Sequence, residues 1–161
     1  MLGVSGTFEG NSSYNSSWEI YDNLPEEFKK ISRKPGGSGN LQMFQCTWWA
    51  NGRANLYLSE HGTTYTEYPT LSGNGGEYYR INQENGWFEY GPEPRPNSIG
   101  CYGAGTDSNT GHVFYVEGVT DDGIWISHCG SGVNWNGVDF WSNSELASKG
   151  IHGYIYLDSP K

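Results

Sequence analysis

Residues 41–58, LQMFQCTWWANGRANLYL, set Cys46 at the head of a segment with helical spacing. Cys46, Trp49, Ala50, Arg53, Ala54 and Tyr57 recur three and four residues apart, as on one face of a helix. A thiol is a poor nucleophile until it ionises, and a helix start favours the thiolate through its dipole and free N–H groups. The same N–H groups can hold the oxyanion formed when a carbonyl is attacked. The ordinary alternative is a small buried thiol packed with Trp49 and Ala50.

A nucleophilic cysteine needs a base, and the chain has four histidines. His61 falls at the far end of the helix that Cys46 begins, about 20 Å away at 1.5 Å per residue, and is excluded. His152 stands just ahead of the last apolar strand with nothing to distinguish it. His112 follows Gly111 and leads into the strand VFYVEGV, a loop–strand boundary where a side chain can face a cleft. A helix-borne cysteine followed by a strand-borne histidine is the order of papain-like sites, in which a polar third residue orients the imidazole.

The elements that must position these residues are legible in outline. Residues 1–20 read as a loose lead-in, DNLPEEFKKISRKPGG as a short helix capped at Asn23 and stopped at Pro35–Gly36, and Gly62 as the stop of the Cys46 helix. GNGGEYYRINQENGW predicts another short helix, from Asn74 to Gly86. SIGCYG, HVFYVEGV, GIWISHCG and IHGYIYLD have strand length and strand patterning, and TDDG is a hairpin signal between the second and third. WSNSELASKG inserts one helical turn before the last strand. Helices followed by an antiparallel sheet predict an α+β domain over residues 1–161.

Composition narrows the function classes. The net charge of −9 and the lack of a basic run argue against a nucleic acid partner and against an anionic membrane surface. No apolar run is long enough to span a bilayer, and the first ten residues do not read as a secretory signal. Hydrophobic residues make up 35% of the chain but aromatics reach 16%, so Tyr and Trp must carry much of the burial. Trp48, Trp87, Trp135 and Trp141 are candidates for a substrate groove, with core filling the competing role. Cys46, Cys101 and Cys129 are too few for a disulfide scaffold. Cys101 and Cys129 both fall on predicted strands, where two buried thiols are the first expectation and a disulfide the second. His128 and Cys129 lack a second ligand pair at zinc spacing, so neither a metal nor another cofactor is expected.

QCTWWANGRA and GHVFYVEGVTDDGIWIS together closely resemble the CHAP domain, the cysteine- and histidine-dependent amidohydrolase/peptidase of bacterial and phage cell-wall enzymes. PEPRPNSIGCY resembles the family's Pro-rich turn and the strand before its histidine loop, GNGGEYY its short middle helix, and the resemblance runs from Leu41 to Asp158. It implies a papain-like fold, with short helices packed on the antiparallel sheet, that hydrolyses an amide bond of peptidoglycan at the bacterial wall, either between glycan and stem peptide or within the stem or cross-bridge. Cys46 would be the nucleophile, His112 the base, and the backbone N–H groups of Cys46 and Gln45 the oxyanion site. Trp48 and Trp135 would line the groove. The usual third residue is an acid after Ile-Ser; here His128 holds that place, with Asn134 and Asn136 as alternatives. Glu117 is at odd spacing from His112 and should face away from it. PGGSGNLQMFQ carries no carboxylate, so the calcium bound there by some members is not expected. A phage lysin or tail-associated hydrolase is the expected context. The rival classes are a non-catalytic wall- or carbohydrate-binding module and a cysteine amidohydrolase acting on a small peptide conjugate.

Overall fold

The alternation along HVFYVEGVT sends Val113 and Tyr115 to one side of a sheet and Phe114 and Val116 to the other, and both sides are buried. The computed structural model describes residues 45–61, 73–106, 108–130 and 135–161. In chain order these form α1 (Cys46–Glu60), a 3-10 turn (Gly75–Glu77), α2 (Tyr78–Asn85), β1 (Phe88–Gly91), β2 (Ser98–Tyr102), β3 (His112–Thr120), β4 (Gly123–Gly130), β5 (Trp135–Ser142), α3 (Asn143–Lys149) and β6 (Gly153–Pro160). The six strands make one sheet in the order β1-β6-β2-β3-β4-β5. Every pairing is antiparallel, so the fold is α+β.

One core joins Ala50, Ala54 and Leu58 of α1 to Val113, Tyr115, Ile99 and Ile155 of the sheet. A second joins Phe114, Val116, Ile126, Trp141 and Tyr154, with Leu146 of α3 against it. The four predicted strands, the TDDG hairpin and the helix from WSNSELASKG are present. Asn74 and Glu77 form a capping box, and Gly86, at φ +65°, ends α2 in the left-handed conformation that glycine adopts freely. Two strands escaped the sequence reading, β1 and β5, and both are sheet edges. The predicted helix near Asn23, the lead-in and the stop at Gly62 lie outside the described residues. Among the described residues no helix is long and apolar enough to cross a membrane.

The α1 helix is buried around its whole circumference from Thr47 to Tyr57, polar side chains included. This corrects the expectation that Trp48 lines a groove: its side chain is fully buried. The polar positions of the helix need buried partners. Arg53 makes a two-pronged ion pair with Glu117, Nε to Oε1 and a terminal nitrogen to Oε2, each 2.9 Å, and lies over the Tyr115 ring. The Ser127 hydroxyl donates to Glu117 at 2.7 Å and accepts from the Trp49 indole at 2.9 Å. Glu117 thus serves α1 and β4 rather than His112, at the point where the β3–β4 register shifts.

Because the Arg53 and Glu117 side chains are only 5% and 12% exposed, removing one partner leaves a buried charge. Arg53→Ala is expected to lower stability by about 3–5 kcal/mol, read as a reduced urea midpoint at unchanged slope. A loss below about 1 kcal/mol would show the pair to be dispensable.

Candidate active site

Where the first turn of α1 meets the start of β3, a cleft of about 930 Å³ opens, lined by Gln45, Cys46, Tyr102, His112, His128, Asp139, Trp141 and Lys149, with the loop from Ser108 to Gly111. Gln45 is the N-cap of α1, extended at φ −87° and ψ 158°, and its side chain makes no capping hydrogen bond. The first N–H groups of the helix are therefore not taken by a cap. Those of Cys46 and Thr47, with that of Val113 one residue past His112, stabilise the ionised form of Cys46. The half-buried Cys46 thus begins α1 beside the backbone that carries His112.

His112 owes its position to Gly111, whose φ of +69° and close approach to Gly76 exclude a side chain; a Cβ there would lie 2.7 Å from Gly76 Cα. The loop is tied down by hydrogen bonds from Gly76 N–H to Thr110 O and from Gly111 N–H to Asn109 Oδ1. His112 Nε2 lies 2.7 Å from His128 Nδ1, which leaves His112 Nδ1 outside that contact. His128 Nε2 in turn lies 3.3 Å from Asp139 Oδ2. Trp141 stands edge-on to the His128 ring at 5.3 Å, and the Lys149 ammonium sits 4.2 Å above the Trp141 ring.

Electrostatics keep both imidazoles uncharged. Burial, aided by His128 and Lys149, pushes His112 down to about 3. Burial also lowers His128, against the opposing pull of Asp139. Asp139 is held below the usual carboxylate range, first by its bond to His128. For Cys46, burial outweighs the three N–H groups and raises the thiol above its ordinary value. The helix start acts in the expected direction and is overridden, so at rest the cleft holds a thiol and a neutral imidazole.

Of the sequence candidates, Cys46, Gln45, His112 and His128 meet in this cleft, and Trp141 joins its wall. Asn134 and the side chains of Trp135 and Asn136 lie outside the described residues. His61 bonds the Tyr57 carbonyl and His152 the carbonyl of Gly103 at the cleft wall, and neither imidazole lines the cleft. The three cysteines are free, and Cys101 and Cys129 are buried thiols rather than a disulfide. Sequence reasoning missed Asp139 and Lys149. The clue to Asp139 was the alternation of VDFW, obscured by the glycine and asparagines before it.

A cysteine at a helix start and a histidine at a strand start, sharing one cleft of an antiparallel sheet, define the class. The CHAP domain profile matches residues 36–131, and the chain belongs to that family. Among solved structures it is similar to an N-acetylmuramoyl-L-alanine amidase from Staphylococcus aureus, at 26% identity and a TM-score of 0.54, over 88% of this chain and 38% of that one. Two structures of Ly7917, one with the hydrolyzing product of MDP, match at 17% and 22% identity, each with a TM-score of 0.48 over 73% of this chain and 54% of that one. The chain thus spans well under two thirds of the length of each of these proteins. No curated protein sequence matches it.

Alkylation of Cys46 by iodoacetamide is expected to accelerate with pH through a midpoint above the ordinary thiol value of 9.0. A rate already level across the neutral range would mean a thiolate at rest. The depressed His112 has a second consequence. The unfolded chain takes up that proton near 6.5 and the folded chain only near 3, so stability falls as pH drops through this window. His112→Gln is expected to flatten that part of the Tm–pH curve; an unchanged slope would refute the shift.

Proposed function

We propose that this domain hydrolyses an amide bond of bacterial peptidoglycan, with Cys46 as nucleophile and His112 as general base. The observation that carries the reading is the cleft that gathers Cys46, His112 and His128. Membership of the CHAP family and the likeness to the staphylococcal amidase support the substrate class. That likeness also supports the bond between muramic acid and L-alanine as the one cut, at the bacterial wall.

In the proposed cycle His112 Nδ1 takes the Cys46 proton as the sulfur attacks the carbonyl carbon. The N–H groups at the start of α1, with Cys46 and Gln45 at its head, hold the oxyanion. The imidazolium then protonates the departing amine, leaving a thioester on Cys46. Water, deprotonated by His112, attacks the thioester and releases the acid and the thiol. His128 accepts from His112 Nε2 throughout and steadies the charge that appears on the ring. A low His112 pKa keeps the base unprotonated before attack, and the proton is taken up only as the thiol gives it up.

On purified peptidoglycan, Cys46→Ala is expected to abolish release of fragments, and His112→Ala to lower kcat/KM by about 10³-fold. Mass spectrometry of the products should show free L-alanine amino termini on peptides without glycan. A cut within the stem or bridge would instead make the enzyme an endopeptidase. Wall clearing that survives Cys46→Ala would end the reading of Cys46 as nucleophile, and wall binding without any release of fragments by the unaltered protein would leave a binding module in place of an enzyme.

A further inference from the structure

We propose that Asp139 is a positioning residue of this site: it fixes the tautomer of His128 and, through it, the nitrogen on which His112 is free to act as a base. The proposal rests on the catalytic reading above and adds to it Asp139 of β5, a residue outside the sequence motif.

Two neutral imidazoles in contact share one proton between them. Either His112 Nε2–H donates to His128 Nδ1, or His128 Nδ1–H donates to His112 Nε2. In the second arrangement His112 carries its proton on Nδ1, and that nitrogen has no lone pair for the thiol. The contact alone does not choose between them. Asp139 does, because an ionised carboxylate only accepts. With Oδ2 at 3.3 Å it selects the His128 tautomer protonated on Nε2, which puts the lone pair on Nδ1. His112 must then donate from Nε2, and its Nδ1 is left bare. The Asp139 carboxylate stays ionised across the neutral range because its bond to His128 lowers it.

Among the described residues, other groups also face the pair, with the Tyr102 ring of β2 at 5.6 Å from that of His112. From β3 comes His112 itself; from β5, the uncharged Trp141 ring; from α3, the Lys149 ammonium, which opposes protonation of both imidazoles. When His112 gains a proton during attack, the chain of bonds links the new charge to the carboxylate. The strand register makes this possible. Asp139 pairs with Ile126 and His128 with Gly137, so His128 and Asp139 are diagonal neighbours on one face. The 3.3 Å contact and the 48% exposure of the Asp139 side chain set the effect at the scale of an outer partner rather than a buried one.

Nitrogen-15 NMR of the imidazoles in the Cys46→Ala protein, without substrate, tests the proton arrangement directly. His128 is expected to show a bare Nδ1 and a protonated Nε2, and Asp139→Asn to mix the tautomers of both rings. A proton on His128 Nδ1, or an unchanged pattern in Asp139→Asn, would overturn the proposal. With Cys46 intact, Asp139→Asn is expected to lower kcat about 10–100-fold at nearly constant KM, and Asp139→Glu to recover most of it. In His128→Gln, where an amide oxygen accepts directly from His112, Asp139→Asn should cost nothing further; an additive loss would show that Asp139 does not act through His128. Should the unaltered protein fail to cut peptidoglycan, the catalytic reading falls, while the NMR result still decides the tautomer.

Discussion

The pairing of β3 with β4 is the constraint from which the site follows. Its antiparallel register fixes which side chains share a face. On one face Val113, Tyr115 and Ser127 meet α1; on the other Phe114, Val116 and Ile126 close the second core. His112 and His128 share the parity of that second face, so the pleat that packs the core also brings Nε2 of one to 2.7 Å from Nδ1 of the other. A slip of one residue would turn His128 to the far side of the sheet and break the contact. The same slip would tear Ser127 from Glu117 and Trp49.

The helix that supplies the cysteine is held from the other side. It is buried all round from Thr47 to Tyr57, and its buried charge, Arg53, is answered by Glu117 on β3. A helix locked in this way cannot slide along the sheet without unpairing a buried ion, which fixes its first turn at the mouth of the cleft. Burial has a chemical consequence as well. The same exclusion of water that packs the helix raises the thiol and lowers the imidazole, so both groups stand uncharged in the cleft.

Much of this was legible in the residues. The four central strands carry strong patterning because each is packed on a core that demands it, whereas the Cys46 helix and the His112 boundary are marked by their residue types and their place in the chain. The edges were not legible. β1 is a four-residue strand followed by Pro92 and Pro94, and β5 carries Asn136, Gly137 and Asp139, residues that favour loops. Each pairs with a single neighbour, so pairing rather than local propensity makes it a strand. Asp139 went unseen for that reason: its link to His128 exists only through a register that no local pattern encodes. Trp48 failed differently. A tryptophan beside a nucleophile suggests a groove, but the all-round burial of α1 depends on tertiary packing that helical spacing does not reveal.

The distribution of thiols has a practical meaning. Cys101 and Cys129 are buried and raised, the first to about 11, while Cys46 alone opens on the cleft. The folded chain therefore offers one addressable sulfur. A reagent that consumes one equivalent per chain counts competent clefts, and a higher count reports unfolding. The number of intact clefts and the state of folding are written in the same stoichiometry.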